Sequence, residues 1–267
     1  MAKFIEFLDL SMPKPGLYGW YHIMWLAIVA ISIVLLCKFF KEGTEKQVNT
    51  IIHTVAIAVF ILEIYKQVNF TFTVENGIIS ADYSWYAFPF QFCDMPMYVG
   101  LLTIFFRKGK VHDALCAFLG TYAIFAGICV MLYPGDVFIE TIGINIQTMI
   151  CHGGMLVVGV YLLYTQYVKN SYKTLLKALP VFVCGIVIAT ILNEIAAASG
   201  ILENETFNMF YISRHCAPHL PVYSLVQQVV PYPWCLFIYI LGFTAAAGII
   251  ISIPIAIRKI NKLINAK

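Results

Sequence analysis

Phe88-Pro-Phe-Gln-Phe-Cys-Asp-Met-Pro-Met-Tyr-Val99 opens an apolar run that continues to Phe106, and how it is read decides the fold. The stretch is hydrophobic enough to enter a bilayer, yet it carries Gln91, Cys93 and Asp94 between Pro89 and Pro96. Proline removes a backbone donor and clashes with the preceding turn, so a regular helix is interrupted here. Non-helical backbone at membrane depth is tolerated only where it is buried in protein or lines a cavity. A carboxylate and an amide inside a bilayer are costly unless partnered, which marks the stretch as a candidate site.

The rest of the chain fits that reading. It has 267 residues, 61% hydrophobic and only 12% charged, against about 25% charged in a soluble domain. At roughly 20 apolar residues per crossing, the sequence predicts an all-α, polytopic membrane protein with seven transmembrane helices in a single domain, residues 1–267. The spans fall at about 17–40, 50–72, 87–106, 112–133, 144–168, 175–199 and 233–257. The first run is too long for a signal-peptide core and ends in Lys38-Phe-Phe-Lys41 rather than at a small-residue cleavage site, so it reads as a span. A net charge of +3 without a long basic run gives no support for nucleic-acid binding.

Loop charges set an expected orientation. Lys38, Lys41 and Lys46 follow span one, Arg107, Lys108 and Lys110 follow span three, and Lys169 and Lys173 follow span five. Arg258, Lys259, Lys262 and Lys267 form the tail, while the alternate loops hold little beyond Arg214. The positive-inside rule places the N-terminus outside and the C-terminus in the cytoplasm.

With that topology the polar residues gather near the extracytoplasmic side. Glu63, Lys66 and Gln67 lie in the outer half of span two, and Asn193 and Glu194 near the outer end of span six. Cys93 falls about 8 Å and His152 about 12 Å below the outer starts of their spans, at 1.5 Å per residue. Asn145, Thr148 and His152 share one helical stripe, and Thr190, Asn193 and Glu194 another. Gly153 and Gly154 invite a close neighbour beside His152. Span three is less tidy: a regular helix turns Cys93 about 100° from Asp94 and about 160° from Gln91.

Most of these residues have a plainer role available. Of the eight cysteines, six sit in apolar runs as small hydrophobes, and no spacing suggests zinc or another metal. Cys93 and Cys216 are the only two placed for a disulfide at the outer face. Glu63 and Lys66, three apart, read as a structural ion pair. His22 is either an interface anchor or a site residue, and Asp94 and Glu194 either orient a histidine, bind a headgroup or pair with Lys66. A thiol beside a histidine, however, is the usual pairing for nucleophilic chemistry, because the imidazole takes the thiol proton. That makes Cys93 and His152 the candidate nucleophile and base.

Pro89-Phe-Gln-Phe-Cys93 resembles the Pro-Leu-His-Leu-Cys element of the YwaF-like bacterial integral membrane proteins, of the transmembrane protein 164 acyltransferase family. Tyr18-Gly-Trp-Tyr-His22, the histidine of Cys151-His-Gly-Gly154, Asn208-Met-Phe-Tyr-Ile212, Pro218 and Pro231-Tyr-Pro-Trp234 resemble further elements of that family, in order and spacing over nearly the whole chain. The resemblance implies a cofactor-free acyltransferase of the bacterial cytoplasmic membrane, with its site near the extracytoplasmic leaflet. Cys93 would carry the acyl chain as a thioester from a phospholipid to a lysophospholipid, with His152 as base. Gln91 stands where histidine is common, and the acidic Asp94 departs from the pattern. Gln91 and Asn208 are candidate oxyanion donors, and Asp94, Asn193 or Glu194 candidate partners of His152. Two other readings fit the same residues: a lipid hydrolase using the same pair with water as acceptor, and a transporter or small-molecule-binding membrane protein. A receptor-like scaffold ranks last, because the cytoplasmic loops are short.

Overall fold

The computed structural model describes every residue except 204–205, 218–219 and 266–267. Most of the Asn204-Glu-Thr206 glycosylation sequon, together with Pro218 and Lys267, lies outside the described residues. In chain order the helices are α1 (Ala2–Leu8), α2 (Trp20–Phe39), α3 (Glu45–Asn69), α4 (Met95–Phe105), α5 (Gly109–Leu119), α6 (Tyr122–Leu132), α7 (Ile142–Tyr164), α8 (Lys173–Ala198), α9 (Pro221–Val229) and α10 (Tyr232–Asn265). Strands β1 (Phe72–Glu75) and β2 (Ile78–Ala81) follow α3.

The expected run of seven full spans is corrected: among the described residues six helices are long and apolar enough to cross a membrane, with α5 and α6 forming one of them. The third expected span is the exception. Residues 88–94 are not helical, and α4 supplies only 11 apolar residues. Pro96 is accommodated in the first turn of α4, where its missing N–H has no intrahelical partner to lose. The fourth span breaks in the middle, at Gly120 and Thr121, where Thr121 leaves helical geometry (φ −135°, ψ −81°). The all-α expectation needs a second correction, the antiparallel β1–β2 hairpin. Asn76 and Gly77, at φ 54° and 78°, form its two-residue turn, and only a turn with both central residues left-handed matches the strand twist.

Local chemistry explains where several helices start and which faces they bury. Thr44 and Gln47 form a reciprocal capping box at the start of α3, pairing two donors a helix start leaves open. α2 is apolar on every side but buries only Tyr21, His22 and Val29, so most of its surface is suited to lipid. An aromatic stack of Phe118, Tyr122, Phe182, Tyr239 and Phe243 joins α5, α6, α8 and α10.

Contacts between helix ends show that the long helices alternate in direction. At one end Tyr18 Oη donates to Leu132 O, Tyr65 Oη to Leu8 O, and Asn145 brackets Ile139. At the other, Tyr161 Oη donates to Phe40 O, and Lys177 pairs with Asp113. The lysines and arginines after α2, α4 and α7, with Arg258, Lys259 and Lys262 in the last turns of α10, therefore share that second, basic end.

Small residues set the helix spacing. α7 is flanked by Val29 of α2 at Gly153 and by Val55 of α3 at Gly154. At Gly159 an added Cβ would meet Ile124 and lie 2.6 Å from the Leu119 carbonyl oxygen, which is backbone and cannot rotate away. Gly159→Ala is expected to lower stability by about 1–3 kcal/mol. Gly242→Ala, into open space on α10, should raise it by several tenths to about 1 kcal/mol. Thermal unfolding in detergent would show the two midpoints moving in opposite directions. Equal midpoints would contradict this packing.

Candidate active site

The broken stretch before α4 is held by partners from four other parts of the chain. Its exposed carbonyls are satisfied one after another: Gln67 Nε2 donates to Ala87 O at 2.9 Å, and Tyr98 Oη to Pro89 O at 2.6 Å. Cys151 Sγ on α7 lies 3.8 Å from the carbonyl oxygen of Cys93. Residues 91–94 close a turn on themselves. Asp94 N–H donates to Gln91 O at 2.9 Å, and Gln91 N–H donates to Asp94 Oδ2 at 2.6 Å. Phe92 and Cys93 are the two central residues of that turn. Phe92 inserts among Phe118, Phe182, Phe210 and Phe243, and Cys93 is left half-buried beside it.

Gln91 works as a positioning residue. Its Nε2 donates to Asn208 O at 3.0 Å and its Oε1 accepts from Phe210 N–H at 2.9 Å. Its amide therefore holds the backbone of the 208–212 loop, in place of the oxyanion role expected for it. Asn193, fully buried on α8, grips the same loop: Nδ2 donates to Met209 O and Oδ1 accepts from Met209 N–H. Tyr239 Oη on α10 adds a bond to Phe210 O. These anchors hold Phe210 and Tyr211 at φ 57° and 56°, a left-handed conformation costing a non-glycine residue on the order of 1–3 kcal/mol. Asn193→Ala would strand both polar groups of Met209, and a loss of roughly 1–3 kcal/mol is expected. Faster proteolysis within 206–217, with the rest of the chain still protected, would reveal it; unchanged digestion would dismiss the anchoring role.

Among the buried side-chain atoms at this end of the bundle that have no hydrogen-bond partner, two lie on residues of the candidate site. One is Nδ2 of Asn208, whose Oδ1 is occupied by Ser213 N–H. The other is Nε2 of His152, a residue only 5% exposed. His152 Nδ1 lies 2.7 Å from Thr148 O. A carbonyl only accepts, so Nδ1 carries the proton, and in the neutral ring Nε2 presents a free lone pair. His22 is the contrast. Its Nδ1 accepts from Tyr18 N–H just before α2, and its Nε2 donates to Met131 O, tying the start of α2 to the end of α6.

A charged cluster lies beside the turn. Glu63 on α3, 4% exposed, accepts from Lys66 Nζ at 3.0 Å, Gln67 Nε2 at 2.7 Å and Gln147 Nε2 at 3.1 Å. Lys66 is within electrostatic reach of Cys93, Asp94, Cys151 and His152. Tyr83, from the loop after the hairpin, donates to Gln67 Oε1; burial pushes its phenol above the ordinary value.

The structure thus gathers Gln91, Cys93, Asp94, Asn193 and Asn208 around one turn and one loop, with Glu63 and Lys66 alongside. Glu194 is elsewhere. It accepts both Nε and a terminal nitrogen of Arg214, and lies 3.1 Å from His215 Nε2, in an exposed cluster. That corrects the expectation that it orients His152, a task taken by the Thr148 carbonyl. Cys93 and Cys216 are both free thiols, and Cys216 Sγ faces Phe207 O. The residue that sequence reasoning passed over is Gln147. It stands one turn before Cys151, and an amide inside so apolar a span is its signal.

No curated protein and no solved structure matches the chain. A family model described as the TMEM164 family matches residues 17–251, which take in the Cys93 turn, the Cys151-His152 pair and the 208–212 loop. The chain belongs to the TMEM164 family.

Proposed function

We propose that this protein is a membrane-embedded, cysteine-dependent acyltransferase that moves a fatty acyl chain between phospholipid and lysophospholipid. The observation that carries the reading is the buried, unpartnered Nε2 of His152, whose tautomer is fixed by Thr148 O. An imidazole nitrogen with a free lone pair is costly to bury without a partner and is poised to take a proton.

In this scheme Nε2 of His152 removes the Cys93 thiol proton, and Sγ attacks the ester carbonyl of the donor lipid. The oxyanion accepts a hydrogen bond from the open Nδ2 of Asn208. As the tetrahedral species collapses the ester C–O bond breaks, and the leaving alkoxide takes the proton from His152. The acyl chain remains on Cys93 as a thioester. The acceptor hydroxyl then gives its proton to His152 and displaces the thiolate, which is reprotonated as the cycle closes. Water in the acceptor's place makes the same machinery a hydrolase. By the positive-inside rule the basic end faces the cytoplasm, placing the site near the outer leaflet of the membrane.

Incubating the purified chain with a phospholipid bearing a labelled acyl chain tests this directly. Label that hydroxylamine releases, mapped to the peptide containing Cys93, is the expected result. Label on another cysteine, or none at any substrate concentration, would overturn it.

A further inference from the structure

A groove of about 570 Å³ opens between α6, α7 and α10 at the basic end. It is distant from Cys93 in the fold, and the scheme above makes no use of it. Its walls are aliphatic, with Leu163 on α7 facing Ile253 and Ile257 on α10. Pro254 lies in the same wall and cannot donate to Ile250 O, so α10 lacks one hydrogen bond there. Arg258 and Lys262 stand at the rim, four residues apart and hence on one stripe of α10.

Two like charges at that spacing repel. Neither forms an ion pair among the described residues, and residues 206–267 contain no aspartate or glutamate. The rim also holds Asn170, whose Oδ1 is buried without a hydrogen-bond partner. An aliphatic trough ending in paired cations and an open acceptor complements one kind of molecule, an acyl chain joined to an anionic headgroup with a hydroxyl. Basic recesses between transmembrane helices are a known form of headgroup site.

We infer that this groove seats an anionic phospholipid, with its phosphodiester between Arg258 and Lys262 and one acyl chain along Leu163, Ile253 and Ile257. The site is independent of the chemistry assigned to Cys93. Native mass spectrometry of the full chain, released from detergent after exposure to equal amounts of phosphatidylglycerol and phosphatidylcholine, tests it. The intact protein should retain phosphatidylglycerol about tenfold or more in preference. Arg258→Gln with Lys262→Gln should bring the two lipids to within about twofold, since each cation contributes separately. Lys259→Gln, one position around the helix and outside the groove lining, should leave the preference intact. Free glycerol phosphate at the same concentration should displace no lipid. Equal retention of both lipids by the unaltered chain would overturn the site. So would a loss with Lys259→Gln as large as that of the double variant, or displacement by glycerol phosphate.

Discussion

Cys93→Ala protein is expected to transfer no acyl chain and to carry no hydroxylamine-sensitive label, while remaining folded. Cys93 is half-buried in a turn whose shape is set by its neighbours, so removing one sulfur should disturb the backbone little. His152→Gln should slow transfer by roughly 10²–10⁴-fold, the range that general base catalysis supplies. The double variant should be no slower than Cys93→Ala alone, because residues acting as a unit are not additive. His22→Gln gives the contrasting case. It breaks a buried clamp with both ring nitrogens engaged, so thermal stability should fall while the surviving protein still acquires label. Full transfer by Cys93→Ala would end the acyl-enzyme scheme; full transfer by His152→Gln would remove His152 as the base.

The largest effect on stability is expected at Glu63. Its carboxylate is the acceptor for Lys66, Gln67 and Gln147, linking α3 to α7 beside the Cys93 turn. Glu63→Ala leaves a largely buried ammonium and two amide donors without it. Breaking a buried pair in this way costs about 3–5 kcal/mol, against a typical total of about 5–15 kcal/mol. Replacing both partners, Glu63→Leu with Lys66→Met, removes the stranded charge and should recover most of that loss. Detergent-solubilised yield and thermal unfolding would rank the three proteins. If the double variant is stable yet transfers acyl chains normally, the pair is structural. If it is stable but inactive, Lys66 has a part in the chemistry as well.

Much of this could be read from local pattern. The long apolar runs, the Thr44-x-x-Gln47 cap and the grouping of basic loops all depend on residues close in sequence. Asn76-Gly77 between two short alternating segments is a strong hairpin-turn signal of the same local kind. Two prolines correctly marked span three as broken, although the extent of the break was not visible. That depends on Tyr98, Gln67 and Cys151 supplying hydrogen bonds from elsewhere. The partners of the Gln91 side chain lie more than 100 residues away in sequence, at Asn208 and Phe210, and no local rule assigns them. Helical stripes also misled in one respect. Asn145, Thr148 and His152 share a face, yet Asn145 turns to bracket Ile139 while His152 takes its orientation from Thr148.

The shortness of α4 bears on the membrane itself. Eleven helical residues rise about 16 Å, roughly half of a hydrocarbon layer about 30 Å thick. If lipid lies beside this part of the bundle, the helix alone is too short to match it, and local thinning of the bilayer is one way such a mismatch is relieved. A dimple there would carry headgroups, and the ester linkages just beneath them, down toward the depth of Cys93. The missing turns of helix would then serve to bring an ester bond at the lipid interface and a half-buried thiol to the same level.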